Sequence, residues 1–428
     1  MAYSFSGGIS LKTENKTRTL PTKPFAEPAL VAVPLSGCLP AVSAGDFVDI
    51  GTCIGFGKTE DCPPVHASVS GTVVSVERRP LDKGGEDTFV VIKNDCRHTV
   101  VSGLDPISKP LWEIKPEEII ARARNAGIVD AGSGKSLASI LRAAVGKAKR
   151  LVINCTESQG YESISYRVMA EQTEAVIKGA KLIIYALGLR KADLVIEEKK
   201  DKLIAKIEEH ITDKALVDIK QTTSKHPISV DNRLIYAVYG KRVPLGGSPL
   251  DVGYVVIRPE TAANLYRALS TGMPMIHKRV TVSGDSIKTP LNLIVPVGTS
   301  VKDIAELCGG TKKRFKRAVK GGVFTGYAVG ENAVIEKTDD SLLFLSSVKA
   351  ERSGCVRCGK CIDACPVGLT PSLLAAYGEK GLYSEGLSLG AEHCIGCGCC
   401  AYVCPSGIPI TALIKKTLKE GRTEDEQA

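Results

Sequence analysis

Two cysteine runs of identical spacing constrain this chain more than any other feature. They read Cys355-x-x-Cys358-x-x-Cys361-x-x-x-Cys365-Pro366 and Cys394-x-x-Cys397-x-x-Cys400-x-x-x-Cys404-Pro405. A [4Fe–4S] cluster needs four thiolates that converge on one point, and a tight loop with three cysteines can occupy three of its corners. The spacing therefore predicts a domain that holds two [4Fe–4S] clusters.

The fourth ligand of each cluster is predicted to come from the other run, because a loop of three closely spaced cysteines fills three corners and a distant cysteine supplies the fourth. One cluster is then held by Cys355, Cys358, Cys361 and Cys404, and the other by Cys394, Cys397, Cys400 and Cys365. Cys399 lies between two of these ligands. We expect it to be a small buried residue, or a sulfur beside the cluster, rather than a ligand.

Zinc and disulfides explain these cysteines less well. Zinc sites pair two short cysteine motifs or include histidine, and they do not use a third and fourth cysteine at these spacings. The chain opens Met1-Ala2-Tyr3-Ser4 without a charged and then apolar leader, so we expect reducing cytosol, where disulfides are rare. The spacings of Cys38, Cys53, Cys62 and Cys96 fit no metal template, and Cys155 is expected to be buried rather than reactive.

Size and charge limit the remaining classes. The 428 residues predict three or four domains. The net charge of +9 falls to about +5 once eight thiolates and two oxidised clusters are counted. Aromatic residues make up 5% of the chain, so the basic run from Lys312 to Arg317 favours a solvated face or a docking patch for an acidic redox partner over nucleic-acid binding. No stretch approaches the ~20 apolar residues that span a bilayer.

Patterning along the chain predicts a multidomain α/β protein. Short alternating apolar runs in the first ninety residues predict a compact β domain. From Pro116 the pattern changes to helices that alternate with apolar strands, which indicates a largely parallel sheet. The predicted elements there are helices from Glu117 to Asn125 and Arg167 to Gly179, and strands from Arg150 to Asn154 and Leu182 to Leu187. A small β-grasp-like module follows, with a helix from Ser300 to Cys308, and the charged tail after Ile414 reads as frayed helix and disorder.

Several short motifs, taken in order, resemble the RnfC family, one of the subunit families of the ion-translocating ferredoxin:NAD oxidoreductase complex. Besides the cysteine runs they are Gly7-Gly8-Ile9, Val33-Pro34-Leu35, Pro64 to Gly71, Gly240 to Pro244, Gly284-Asp285, Val297-Gly298-Thr299 and Gly309-Gly310. PduS-type and PrdC-type electron-transfer proteins are similar too. The resemblance implies an N-terminal barrel-sandwich domain (1–108), an α/β domain like the flavin-bearing part of complex I (109–254), a ligand-less β-grasp SLBB-like module (255–345) and an α-helical dicluster ferredoxin domain (346–416). The charged composition of residues 417–428 predicts a disordered tail after them.

Two family motifs are altered in this chain. Members that bind flavin and NADH carry Gly-x-Gly-Gly-Ala-x-Phe-Pro, where this chain reads Asp130 to Leu137 and keeps only Gly132. The family's Asn-x-x-Glu-x-Glu-Pro is kept at Asn154 and Glu157 but changed to Gln159 and Gly160. If a flavin binds to this chain, the resemblance places it beside Gly132, Gly134, Lys135, Asn154 and Glu157.

Two interpretations of the altered loop stay open. In the first, residues 132–136 form an anion nest, with Lys135 and the following helix N-terminus facing a cofactor phosphate. In the second, the loop only starts a helix, with Ser136 as the cap, and no nucleotide binds. A P-loop is disfavoured because Val129 stands where its first glycine is required.

The resemblance implies an electron-transfer subunit that passes single electrons through two clusters between NAD(H) and flavin and a partner redox protein. FMN and NAD(H) are the implied further cofactors, and membrane-bound Rnf-type subunits are the implied partners. The chain would then be cytoplasmic and peripheral on the inner face of the membrane, held there by those subunits. The alternative is a soluble PrdC-like or PduS-like relay to a reductase, without its own NADH site.

Overall fold

The computed structural model describes residues 2–11, 15–25, 27–157, 159–346 and 351–427. Within those residues, no helix combines the length and the apolar character that a membrane crossing requires.

The N-terminal part is built from short strands that pack over one apolar core. Their inward-facing residues include Val31, Val33, Ile54 and Val73, which are buried. The strands form an antiparallel sheet of order β2-β8-β7-β4 and a second sheet of order β3-β5-β6. The bounds are Thr22–Pro24 (β1), Leu30–Pro34 (β2), Leu39–Pro40 (β3), Phe47–Val48 (β4), Cys53–Phe56 (β5), Val65–His66 (β6), Gly71–Pro80 (β7) and Glu86–Asn94 (β8).

A four-stranded parallel sheet of order β11-β10-β9-β12 forms the centre of the next layer. Its strands are largely buried because helices cover the sheet, as in other parallel sheets. The elements are Pro116–Asn125 (α1), Leu137–Ala144 (α2), Arg150–Asn154 (β9), Ile164–Glu171 (α3), Thr173–Ala186 (α4), Ala192–Glu197 (β10), Asp201–His210 (α5), Val217–Thr222 (β11), Asp231–Tyr239 (α6), Tyr254–Ile257 (β12) and Pro259–Thr271 (α7).

The strand predicted from Leu182 to Leu187 is wrong, because those residues belong to the second half of α4 and its C-terminal end. Their apolar side chains continue the helical face that packs on α7, where Gly179 closely approaches the backbone of Ala262. The helix predicted from Arg167 to Gly179 is divided between α3 and α4. Apolar runs of this length do not distinguish a buried strand from a buried helix.

A mixed six-stranded sheet of order β1-β14-β13-β17-β15-β16 follows. Strand β1 lies within the range predicted for the first domain, yet it pairs in parallel with β14. Likewise β12 and α7 extend the parallel-sheet layer past residue 254, to Thr271. The remaining elements are His277–Ser283 (β13), Leu291–Pro296 (β14), Val301–Leu307 (α8), Phe315–Lys320 (β15), Tyr327–Val329 (β16) and Ser341–Ser346 (β17).

The C-terminal part is helical: Lys360–Asp363 (α9), Pro371–Lys380 (α10), Tyr383–Ser388 (α11), Cys399–Tyr402 (α12) and Ile410–Gln427 (α13). The disorder predicted for residues 417–428 is not observed up to Gln427, because α13 continues to that residue. Ala428 lies outside the described residues. The cause is packing: Thr417 is fully buried and Leu418 contacts the core of this domain, so the helix stays docked beyond Ile414.

Candidate functional site

Both cysteine runs fold in the same way. In each run a glycine with positive φ, Gly359 or Gly398, comes just before a one-turn helix that carries the third cysteine, Cys361 or Cys400. The left-handed backbone, which glycine adopts without strain, reverses the chain between the second and third cysteines. Identical spacing thus produces two loops with the same local backbone turn.

The loops bring the predicted ligands together around two separate cavities. The first is lined by Cys355, Cys358 and Cys361 of the first run and by Cys404 of the second. The second is lined by Cys394, Cys397 and Cys400 of the second run and by Cys365 of the first. Each cavity therefore combines three sulfurs from one run with the last cysteine of the other.

Cys399 is fully buried beside the second cavity. Its Sγ lies 3.8 Å from the carbonyl oxygen of His226. The side chain therefore packs between the cluster domain and the parallel-sheet layer.

The cluster domain is fastened to the rest of the chain at His226. The imidazole Nε2 donates to the carbonyl oxygen of Cys397 over 2.7 Å, and the ring stacks on Phe324 at 4.7 Å between centroids. Gly7 closely approaches the carbonyl of Cys365, where a Cβ atom would clash. The Gly7-Gly8 motif thus lets the N-terminal segment pass between the cluster domain and the parallel-sheet layer. The motif stands out in the sequence, and this close approach is its structural role.

In the loop predicted as an anion nest, the side-chain carboxyl of Asp130 accepts the hydrogen bonds that an anion would otherwise accept. Asp130 is fully buried, and one of its oxygens accepts hydrogen bonds from the amide and hydroxyl of Ser133 at 2.9 and 3.0 Å. The other oxygen accepts from the amide of Arg258 and the hydroxyl of Thr261, both at 2.7 Å. The amide of Gly134 donates to the Asp130 carbonyl. These groups are therefore not free to receive a phosphate on the inner side of the loop.

Arg258 occupies the space above Gly132, where a Cβ atom would lie 2.5 Å from its Nε. The guanidinium is 3.6 Å from the Asp231 carboxylate and donates to the carbonyl of Ser229. Asn154 donates to the same carboxylate at 2.8 Å. Gly132 and Asn154 thus both lie beside the Arg258–Asp231 ion pair.

On the outer side of the loop lies a cleft of about 1290 Å³, between the N-terminal domain and α2. Gly134, Lys135 and Ser136 line it. Ser136 is at the N-cap position of α2, but its hydroxyl makes no capping bond and is buried without a partner. An exposed ammonium beside an unsatisfied hydroxyl at a helix N-terminus fits an anionic group of a ligand.

Glu157 lies behind the cleft rather than on its lining. Its Oε1 accepts from the amide of Tyr166 at 2.8 Å, and its Oε2 is 3.9 Å from Lys200 Nζ, which also contacts Glu197. Burial raises the pKa of Glu157 to about 7, against the opposing attraction of Lys200. This carboxyl therefore changes protonation near neutral pH.

Gln159, at the position of the family's second glutamate, connects two layers. Its amide donates to Thr325 Oγ1 at 2.8 Å, and its oxygen accepts from the amides of Phe324 and Thr325 at 3.3 Å. The same loop carries the Phe324 ring that stacks on His226. Gln159 thus fastens the β15–β16 loop to the parallel-sheet layer, where Phe324 also contacts Tyr402 of the cluster domain.

Comparisons with known proteins agree with this division of the chain. Three family models match: the RnfC barrel sandwich hybrid domain over residues 3–97, the Nuo51 FMN-binding domain over 123–267 and the 4Fe-4S dicluster domain over 354–408. In overall fold the chain is similar to the NAD+-reducing [NiFe]-hydrogenase in its H2-reduced state, with a TM-score of 0.51, 16% identity and coverage of 73% of this chain and 63% of that one.

Curated relatives match over nearly the full length. The chain is 31% identical to the RnfC-type component of the Na(+)-translocating ferredoxin:NAD(+) oxidoreductase complex of Acetobacterium woodii, covering 89% of each. It is 31% identical to the same component of the proton-translocating complex of Clostridium ljungdahlii (90% of this chain, 86% of the relative). It is 30% identical to that of the ion-translocating oxidoreductase complex of Rhodobacter capsulatus (88% and 75%).

The fold and the cysteine cavities thus define an iron–sulfur electron-transfer protein with a flavin-type domain. The chain belongs to the RnfC family of ion-translocating ferredoxin:NAD oxidoreductase complexes. The matched domains support iron–sulfur clusters together with FMN and NAD(H) as cofactors.

Proposed function

We propose that this chain passes single electrons through two [4Fe–4S] clusters to or from a partner redox protein. One cluster is held by Cys355, Cys358, Cys361 and Cys404, and the other by Cys365, Cys394, Cys397 and Cys400. The observation that carries the proposal is that these eight sulfurs line two cavities, four at each, with Cys399 as a further cysteine at the second. Each thiolate set matches what one cubane cluster requires.

The partners we propose are the membrane subunits of an Rnf-type complex, which would hold the chain peripherally on the cytoplasmic face of the membrane. The relatives are named as components of such complexes. We divide the chain at the ranges 1–108, 109–254, 255–345 and 346–416, although β1 pairs with β14 of the third range, and β12 and α7 pack with the second. The six-stranded sheet with α8 would be the β-grasp SLBB-like module.

A flavin would convert the two-electron chemistry of hydride into the single electrons that clusters carry. In this chain Lys135 and Ser136 would hold its phosphate on the cleft side of the loop, with Gly134 leaving the backbone open to close approach. Asn154 would orient Asp231 at the cleft wall. Glu157 would belong to the site as a buried proton-holding group behind it.

A second candidate is the relay that lacks its own NADH site. Two observations favour it: the carboxyl of Asp130 closes the inner side of the loop, and the Arg258–Asp231 ion pair fills the space above Gly132. In such a relay electrons would enter and leave through partner proteins alone.

One experiment separates the two candidates. The full chain is reconstituted anaerobically with iron and sulfide, with and without FMN, and NADH is added while cluster absorbance and EPR are recorded. Cluster reduction that depends on FMN supports the flavin-linked subunit. Reduction by dithionite but not by NADH, with FMN present, supports the relay. Failure of dithionite to reduce any cluster contradicts both.

Two substitutions locate the flavin if it binds. Lys135→Ala should weaken FMN binding about tenfold, because one ion contact with phosphate is lost. Lys147→Ala, which removes another exposed lysine shortly after α2, is the matched control and should leave the affinity unchanged. Glu157→Ala tests the remaining residue: unchanged flavin content removes Glu157 from the site.

A further inference from the structure

Two cysteines of the N-terminal domain, which the electron-transfer proposal does not use, lie side by side. The Sγ atoms of Cys38 and Cys62 are 2.9 Å apart, although 24 residues separate them in sequence. Cys38 follows β2 in the turn before β3, and Cys62 lies in the loop between β5 and β6. A disulfide bond is about 2.05 Å long, so the sulfurs need to approach by roughly 0.9 Å to bond. Small loop movements suffice for that.

The two thiols differ in access. Cys38 is buried, with 5% of its surface exposed, whereas Cys62 is half-buried and lines the cleft of about 1290 Å³. A small molecule in the cleft therefore meets Cys62 first and can reach Cys38 only through it. This is the arrangement of an attacking and a resolving cysteine.

The surroundings of Cys38 favour its thiol form over the thiolate. Burial, followed by its contact with Cys62, raises the pKa of Cys38 to about 12. Lys337 lies close enough to lower it in part, and burial lowers the pKa of Lys337 itself to about 8.

The loop that carries Cys62 is anchored to the opposite wall of the cleft. Arg142 of α2 pairs with Glu60 at 3.2 Å and Asp61 at 3.7 Å, and Ser139 donates to Asp61 at 2.8 Å. These bonds connect the Cys62 loop to α2 across the cleft. The position of Cys62 thus depends on contacts with α2 as well as on its own loop.

We propose that Cys38 and Cys62 form a thiol–disulfide exchange site that accepts small-molecule disulfides from the cleft. The Cys62 sulfur attacks one sulfur of the incoming disulfide, forms a mixed disulfide and releases the first thiolate. Cys38 then attacks the Cys62 sulfur, forms the Cys38–Cys62 disulfide and releases the second thiolate. The protein dithiol loses two electrons, the incoming disulfide gains them, and the two thiol protons pass to the released thiolates.

The test uses the cluster-loaded full chain under anaerobic conditions with oxidised glutathione as the probe. After alkylation and digestion, mass spectrometry should find the peptides of Cys38 and Cys62 joined by a disulfide in the wild-type chain. Cys38→Ser should accumulate glutathione on Cys62, about tenfold above wild type, because the resolving thiol is gone. Cys62→Ser should leave Cys38 unmodified, since Cys38 has no direct access to the cleft.

Cys53→Ser is the matched control, since Cys53 is an exposed cysteine of the same domain, and it should leave the cross-link unchanged. Absorbance of the clusters is followed throughout, so that thiol oxidation is read on intact protein. Two results would overturn the proposal: Cys38 and Cys62 that stay fully alkylated at excess oxidised glutathione, or a wild-type chain that keeps glutathione on Cys62 without forming the cross-link.

Discussion

The cluster domain and the loop from Asp130 to Ser136 differ in whether their potential ligand groups are already hydrogen-bonded within the protein. In the cluster domain, two loops of equal spacing turn eight sulfurs toward two cavities. In the Asp130 loop, the donors that could face a phosphate are taken by a buried carboxyl of the same loop. A binding site needs ligand atoms that have no partner within the fold. The cluster domain has such atoms in the sulfurs at its cavities, whereas the donors on the inner side of the Asp130 loop are already paired.

The difference shows why similarity over a whole domain does not by itself establish a cofactor. The Nuo51-type domain keeps its parallel sheet and helices. Asp130, Arg258 and Asp231 nevertheless satisfy one another where a ligand would need free groups. The outer side alone stays accessible, with Lys135 and the unpaired hydroxyl of Ser136.

The largest effect is expected for a cluster ligand. Cys365→Ala should remove the cluster shared with Cys394, Cys397 and Cys400 and lower the iron content by about four atoms per chain, while the other cluster stays. Iron analysis and EPR measure the change. Cys399→Ala is the control and should keep both clusters. Loss of the same EPR signal in Cys365→Ala and Cys361→Ala would disprove the crossed ligation.

The next effect concerns the loop. Asp130→Ala should lower the free energy of unfolding by about 2–4 kcal/mol, because the amide of Arg258 and the hydroxyl of Thr261 lose a buried acceptor. Urea denaturation measures it. Asp130→Asn, which keeps one carbonyl acceptor, should cost less. If Asp130→Ala left the stability unchanged, the carboxyl would not be what closes the loop.

A pH dependence follows from Glu157. Its pKa is about 7 in the folded chain against an ordinary value of 4.5, so between these values the folded state binds more protons than the unfolded state. Stability contributed by the protonated carboxyl is therefore lost as pH rises from about 4.5 to 7. Glu157→Gln should remove this loss and gain on the order of 2 kcal/mol relative to wild type between pH 5 and 8.

Urea denaturation across that pH range checks the prediction for Glu157. For Glu331→Gln, at an exposed glutamate, the free energy of unfolding should differ from that of wild type by the same amount at every pH. If the free energy of unfolding of Glu157→Gln also differed from that of wild type by the same amount at every pH, Glu157 would be ionised in the folded chain at pH 5.

The smallest effect is expected at Gln159. Gln159→Ala should release the amides of Phe324 and Thr325 and speed their hydrogen exchange about fivefold, which corresponds to roughly 1 kcal/mol for a part-exposed hydrogen bond. Exchange measured by mass spectrometry on residues 321–326 reports it. Unchanged exchange would show that Gln159 does not hold this loop in place.

The sequence predicted an N-terminal β domain, a parallel-sheet layer and a dicluster domain because their signals are local. Cysteine spacing, alternating strands and helix–strand alternation each fall within a short window. The closure of the loop could not be predicted in this way, since Asp130 meets the amide of Arg258 across 128 residues. The run from Leu182 to Leu187 was misassigned for a related reason: its packing partner, α7, lies far along the chain.

The pairing of Cys38 with Cys62 also depends on tertiary structure. Their separation matches no motif, and the turn after β2 and the loop after β5 meet only when the small sheets pack. The signal that could have pointed to them was the presence of four cysteines in the first domain, outside the cluster runs.

The most direct measurement is a reductive titration of the reconstituted chain with dithionite, combined with iron analysis and EPR. Two [4Fe–4S] clusters predict about eight iron atoms per chain and the uptake of about two electrons, one for each cluster. About four iron atoms and one electron in a fully reconstituted wild-type chain would contradict the two-cluster electron-transfer subunit proposed here.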